Sequence, residues 1–234
     1  MEHLYIKSAG AARGLIGAVS DAFAGRQRVE LSAQFGAVGT TFDRVREAML
    51  TDDHCDLAVL TPALLRRLQE DFPRRVSAAG SLGSTVTCLA CHRAAEAFDI
   101  STVDALRETL SAVDVIFTGD TRQSTVGRHL THVLERLGIS GERCPDVVGF
   151  AGGADAVAAL STAAGKRALA CAQLTEVRQH PEAVFVGPFP EAFHLATEYM
   201  LAIIDNGQAA RDFAAFLTGP SAADERRKSG FDPA

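Results

Sequence analysis

Tyr5-Ile6-Lys7-Ser8-Ala9-Gly10-Ala11-Ala12-Arg13-Gly14, followed by Leu15, Ile16, Val19 and Phe23, reads as a short strand, a turn of small residues and an amphipathic helix. A strand that enters a helix through such a turn is the opening step of an α/β domain. The first N–H groups of the helix have no intrahelical acceptor and sit at the positive end of its dipole. Ser8, Gly10, Ala11 and Arg13 therefore form a candidate anion site.

The alternation of short apolar runs with helical stripes continues along the chain, as expected of a parallel sheet flanked by helices. Strands are expected at residues 3–8, 29–33, 56–60, 85–92, 113–118, 147–150, 167–173 and 183–186, and helices at 41–50, 62–70, 102–110, 126–137 and 154–164. The fourth of these helices stops at Gly138, the residue type that closes helices. Residues 194–204 are almost continuously apolar and read as a strand returning to the first part of the fold, with helix the competing reading of 196–204. Two short helices, 208–217 and 221–228, follow. No internal repeat, low-complexity linker or Pro-rich spacer is visible.

Length and composition bound the function. The 234 residues suit one large domain or two lobes, and 47% hydrophobic with 22% charged residues describes a folded globular chain. A net charge of -6 argues against a nucleic-acid partner while leaving room for a small anionic ligand bound locally. No stretch of 18 apolar residues occurs, so no membrane insertion is expected. Residues 1–7 lack the pattern of a secretory signal, which reads as cytoplasmic, or periplasmic if a leader is encoded upstream. Five cysteines, an odd number in a chain of this size, are expected to be reduced and mostly buried.

Three more turns of small residues follow strands, at 35–41, 121–128 and 150–154. In open α/β sheets ligands gather at such carboxyl ends of strands, although tight turns also need small residues for purely structural reasons. Gly36, Ala37 and Val38 would contribute from the second turn, Ser124, Thr125, Val126 and Gly127 from the third, and Gly153 and Ala154 from the fourth. Arg13, Arg122 and Arg128 could add bidentate recognition of a carboxylate, or could equally be solvated surface arginines.

Other motifs point nowhere. Cys88-Leu89-Ala90-Cys91-His92 spells a haem-attachment signature, but on a strand residues three apart face opposite sides, so both thiols cannot reach one porphyrin. The same geometry disfavours zinc, and neither a metal nor a cofactor is expected. His129 and His132 share a helix face and are read chiefly as solvent-facing. No P-loop, G-x-G-x-x-G, H-E-x-x-H or G-x-S-x-G occurs.

Taken together, residues 6–15, Phe35-Gly36-Ala37-Val38-Gly39, Cys55-Asp56-Leu57-Ala58-Val59-Leu60 and Thr118-Gly119-Asp120 with Val126-Gly127-Arg128 resemble the periplasmic molybdate-binding-protein family. The most specific stretches are Ala214-Ala215-Phe216-Leu217-Thr218-Gly219-Pro220-Ser221-Ala222-Ala223 and Lys228-Ser229-Gly230-Phe231. The resemblance implies a two-lobed type 2 periplasmic-binding-protein fold, with residues 1–87 plus 193–234 as lobe I and 88–192 as lobe II. It places an anionic ligand in a cleft between lobes joined by two crossover segments, in a protein that is usually monomeric. The family's two oxyanion-binding serines fall on Ala11 and Ala37, its helix N-terminal contacts near Val126 and Ala154, and its cleft tyrosine on Gln173. With those side chains replaced, molybdate is disfavoured and a backbone N–H cradle is retained.

Residues 152–160, Gln173-Leu174-Thr175-Glu176 and Val186-Gly187-Pro188-Phe189-Pro190 look similar to a divergent branch that includes aconitate isomerase. That resemblance implies a polycarboxylate ligand and allylic proton transfer, with His129, Lys7 and Glu176 as candidate bases. The competing expectation is a non-catalytic solute-binding protein of an oxyanion-type ABC transporter or a sensor. The chain is expected to bind a polycarboxylate or oxyanion, and the reading leans to isomerase activity, with the non-catalytic receptor as the alternative.

Overall fold

The structure is a computed structural model that describes residues 2–27, 29–51, 53–141, 144–163, 165–204 and 207–233. Its contacts divide the chain into two compact units, Met1–Thr85 with Glu198–Ala234, and Val86–Thr197.

The first unit opens with β1 (Glu2–Ala9), a 3-10 turn (Gly10–Ala12) and α1 (Arg13–Gln27). It continues through β2 (Val29–Gly36), α2 (Val38–Thr51), β3 (Leu57–Leu60) and α3 (Pro62–Asp71) into the first half of β4 (Ser77–His92). β1 pairs in parallel with β2 on one side and β3 on the other. The order β2-β1-β3 is that of a βαβαβ unit whose crossovers bring each strand back beside β1. Leu15, Ile16, Val19 and Phe23 of α1 are all buried together with Leu4 and Ile6 of β1, which fixes the helix on one sheet face.

The second unit has the same topology. The second half of β4 leads to α4 (Val103–Ala112), β5 (Val115–Gly119), α5 (Thr125–Leu137), β6 (Asp146–Phe150), α6 (Gly153–Ala158) and β7 (Ala168–Gln173). A single-turn α7 (Leu174–Val177) and β8 (Ala183–Pro188) complete it. β5 is the parallel partner of both β6 and β7, while β4 runs antiparallel to β7 and to β8. Two apolar clusters line opposite faces of this sheet. Leu89, Cys91 and Cys171 belong to one, Cys88, Ala90 and Ala172 to the other. Cys88 and Cys91 thus point to opposite sides, the geometry that parts the two thiols of the haem-like motif.

The chain re-enters the first unit within β9 (Ala196–Ile203), which runs antiparallel to β3, and ends with α8 (Gln208–Thr218) and α9 (Ala223–Ser229). The apolar run at 194–204 is therefore strand, not helix. Phe213 of α8 meets Phe23 of α1 edge to face at 4.9 Å. No helix among the described residues is long and apolar enough to cross a membrane.

Among the boundaries that differ from the sequence reading, three have identifiable reasons. α2 begins at Val38 rather than 41, because the Ala37 carbonyl already accepts the Thr41 N–H at 2.8 Å although alanine carries no capping side chain to announce it. β4 reaches back to Ser77 because Gly80 and Gly83 adopt positive φ, and a Cβ at Gly83 would strike the Asp232 carbonyl that bonds Ser84. The helix expected over 154–164 divides into α6 and a 3-10 segment, Ala159–Thr162, and its expected last residue, Ala164, lies outside the described residues.

All five cysteines are unpaired, and Cys144 alone is exposed. Burial pushes the Cys55 and Cys88 thiols up to about 12 and raises those of Cys91 and Cys171. A thiol-reactive dye on the native protein is expected to titrate Cys144 quickly and the other cysteines only after unfolding. Rapid reaction at a second cysteine would contradict this packing.

Candidate functional site

Sheet register brings the four turns together in pairs. In the first unit Ala9 stands opposite Gly36, so the turns leaving β1 and β2 lie side by side. Thr41 ties them by donating its hydroxyl to the Ser8 carbonyl at 3.2 Å. The Ser8 hydroxyl is spent on the Ala9 carbonyl at 2.9 Å, and Ser8 itself is fully buried. In the second unit Gly119 stands opposite Phe150, which sets the turns leaving β5 and β6 beside each other.

The helices entered by these turns differ in how their first donors are satisfied. α5 is capped by Ser124, whose hydroxyl accepts the Gly127 N–H at 2.9 Å and donates to the Asp120 carbonyl at 2.7 Å. The Asp120 carboxylate accepts the N–H groups of Arg122 and Gln123, and these bonds hold its pKa below the usual carboxylate range. The Arg128 guanidinium latches the loop through the Arg122 carbonyl at 3.0 Å. A Cβ at Gly127 would run into the carbonyls of Gly119 and Asp120, so the tight turn requires glycine. Thr125 and Val126, the first two residues of α5, have no acceptor for their N–H groups among the described residues.

At α6 the donor is already engaged. Glu176, buried to 5% exposure, accepts the Gly153 N–H with Oε1 at 3.1 Å and the Gln173 N–H with Oε2 at 3.0 Å. The chain's own carboxylate thus occupies the start of α6. A Cβ at Gly153 would overlap it. Gln173 is buried as the other half of the α7 capping box, and its amide donates to the Thr197 hydroxyl at 3.3 Å.

At the first two turns the caps are alanines. Ala9 caps the 3-10 turn without a side-chain bond, and Ala37 caps α2 through its carbonyl alone. The first-turn donors of these segments meet no side-chain acceptor there. Replacing a hydroxyl or carboxamide cap by alanine costs about 1 kcal/mol, so these positions forgo stability that Ser or Asp would supply. Arg13 sits at the start of α1 with its guanidinium 5.0 Å from the centre of the Phe35 ring, and its buried Nε has no partner.

The three candidate bases occupy three different environments. Lys7 is ion-paired with Asp53 at 2.8 Å on β1, and Glu176 caps α6 and α7. His129 is half-buried on α5 rather than solvent-facing, with Nε2 2.8 Å from the Phe193 carbonyl and its ring edge-on to Phe189. A carbonyl only accepts, so Nε2 carries the proton. Burial pulls the His129 pKa down, with His132 and His194 adding to that direction.

Cap chemistry could be read from Ser124 and Gly127 in the sequence, but the role of Glu176 could not. It depends on Gly153 reaching it across 23 residues.

The comparisons with known proteins agree with this architecture. Residues 4–232 match the family described as bacterial extracellular solute-binding protein. No curated protein shows significant sequence similarity to the chain. Among solved structures, the periplasmic molybdate-binding protein of Azotobacter vinelandii superposes with a TM-score of 0.72 at 14% identity, covering 99% of each chain. The sulfate-binding protein SubI of Mycobacterium tuberculosis H37Rv reaches 0.70 at 16% identity over 100% of this chain and 88% of its own. A substrate-binding protein of Clostridium perfringens with bound phosphate reaches 0.69 at 10% identity over 100% of both. At these identities the likeness establishes the fold.

Two predictions follow from the engaged groups. Gly153→Ala is expected to destabilise by about 2–4 kcal/mol and Glu176→Gln by about 1–3 kcal/mol in urea unfolding, because each spoils the buried N–H to carboxylate bonds. Neutral changes at both would refute the cap. Because His129 is lowered from 6.5 in the fold, the unfolded chain binds its proton first. Stability from this group is full above the unfolded value and falls as pH drops below it toward the folded one. The drop in urea midpoint between neutral pH and about pH 5 should shrink in His129→Gln. An unchanged drop would refute the assignment.

Proposed function

The chain belongs to the family of bacterial extracellular solute-binding proteins, and from that premise we propose that it binds a small multivalent anion, a tetrahedral oxyanion or a polycarboxylate, through backbone N–H groups. The observation that carries this reading is the alanine cap of α2 beside the uncapped turn after β1. Two neighbouring helix starts without a side-chain acceptor suit an external anion that supplies the acceptors itself. In this reading Arg13, at the start of α1, adds a cationic arm to the same unit's donors. Glu176 leaves α6 little to offer, so Ala154 and Gly153 act as scaffold. Ala11 and Ala37 supply no hydroxyl, so the ligand is recognised by charge and N–H geometry.

We further propose that binding is the whole function. Isomerisation needs a base free to exchange protons with the ligand; Glu176 and His129 are engaged elsewhere, and Lys7 lines a cavity over β1 and β2 rather than the helix starts. The molybdate-binding, sulfate-binding and phosphate-bound neighbours support an anion rather than a reaction. An extracellular family likewise favours the exported setting over a cytoplasmic one, as receptor for an ABC transporter.

Thermal unfolding with sulfate, molybdate, phosphate, citrate and trans-aconitate tests this. At least one anion is expected to raise the midpoint in a concentration-dependent way, the gain in unfolding free energy being about 2.7 kcal/mol at a hundredfold excess over Kd. Arg13→Ala should weaken that anion about tenfold or more. Proton NMR should show trans-aconitate unchanged; its conversion would overturn the non-catalytic reading. Absence of stabilisation by all five would overturn anion binding.

A further inference from the structure

The first unit carries a second polar feature away from the turns. Parallel strands are normally apolar on both faces. β1 is not: Leu4 and Ile6 enter the core, while His3, Tyr5 and Lys7 alternate with them and face the other way. The parallel register sets Glu30, Ser32 and Gln34 of β2 beside them, so that face is polar across both strands. Local rules broken in this way mark functional sites more often than chance.

Over this face lies a cavity of about 400 Å³, lined among others by Tyr5, Lys7, Ser32, Gln34, Asp53 and His54. Its size falls within the usual range of small-molecule pockets, roughly 300–1,000 Å³. The wall is ordered by a ladder of rings, with Tyr5 stacked 4.5 Å from His3 and 4.9 Å from His54. His3 Nε2 is in turn 2.8 Å from the Ser32 hydroxyl.

The ion pair in this cavity is lopsided. The Lys7 side chain is 7% exposed, whereas that of its partner Asp53 is 61% exposed. Among the described residues the ammonium has this one partner, so one of its three N–H donors is met by them. A buried ammonium is costly unless its donors are satisfied, and the carboxylate that meets it is largely exposed to water. The hydrogen bond and charge of Lys7, with the His54 N–H, hold the Asp53 pKa below the usual carboxylate range, so Asp53 is a charged competitor for the ammonium.

We propose that this cavity is a second binding site, for a small hydroxycarboxylate, in which the ligand carboxylate takes the Lys7 ammonium from Asp53. Ser32 and Gln34 supply hydrogen-bond partners for its hydroxyl, and the His54 ring, backed by Tyr5, supplies the flat wall. It is separate from the helix-start donors, which lie beyond the carboxyl ends of β1 and β2.

Glycolate is the probe, with ethylene glycol as its uncharged counterpart and inorganic phosphate as a second anion, each titrated into the full-length protein and followed by backbone amide NMR. Glycolate is expected to shift the amides of Lys7, Gln34 and His54 saturably while ethylene glycol leaves them in place. Shifts confined to residues 10–13 and 37–40 would mean binding at the helix starts instead and would overturn the proposal. So would phosphate binding at the Lys7 group in preference to glycolate. Lys7→Gln should weaken glycolate about tenfold or more. Asp53→Asn, which leaves the core untouched, should tighten it about two- to fivefold by removing the internal competitor. Weaker or unchanged binding in Asp53→Asn would overturn the exchange.

Discussion

A backbone N–H that leaves a strand and enters a helix has no acceptor within the first turn, and each such donor must be met by something. Both units of this protein repeat that problem because both are built as βαβαβ with the first strand in the middle. The solutions differ from helix to helix. Ser124 meets one donor at α5, Glu176 meets one at α6, and alanines stand where a cap could be at Ala9 and Ala37. The functional proposal rests on that contrast within one chain.

The contrast also has an energetic logic. Ser or Asp at position 37 would stabilise an isolated α2, and alanine there is a local loss. Such losses are tolerated where function uses the open group, since a ligand that binds only the folded state returns the stability by mass action. The same reasoning separates the ends of α2 and α6. Their turns look alike in sequence, yet a carboxylate from α7 already satisfies the second.

Much of the architecture was legible in the chain. Alternation in β1 and the 3.6-residue stripe of α1 locate the opening unit, Gly138 at φ 67° closes α5 as its position suggests, and the apolar run at 196–203 is a strand. The topological repeat between the units was not legible, because it lies in strand order and not in residue identity. The start of α2 was missed for want of a capping side chain, and the reach of β4 because its glycines look like turn residues. At the candidate site, Ser124, Gly127 and Arg13 could be singled out from local pattern. The engagement of Glu176 with Gly153, of His129 with Phe193 and of Lys7 with Asp53 depends on contacts across 23, 64 and 46 residues, which pattern alone does not reach.

The most direct measurement is amide hydrogen exchange at Val38 and Gly39, without ligand and with the anion that most raises the unfolding midpoint. Donors that meet no protein acceptor should exchange quickly in the free protein and become protected once the anion saturates it. If the midpoint rises while exchange at these two amides stays the same, the anion is held by other groups and the account is wrong.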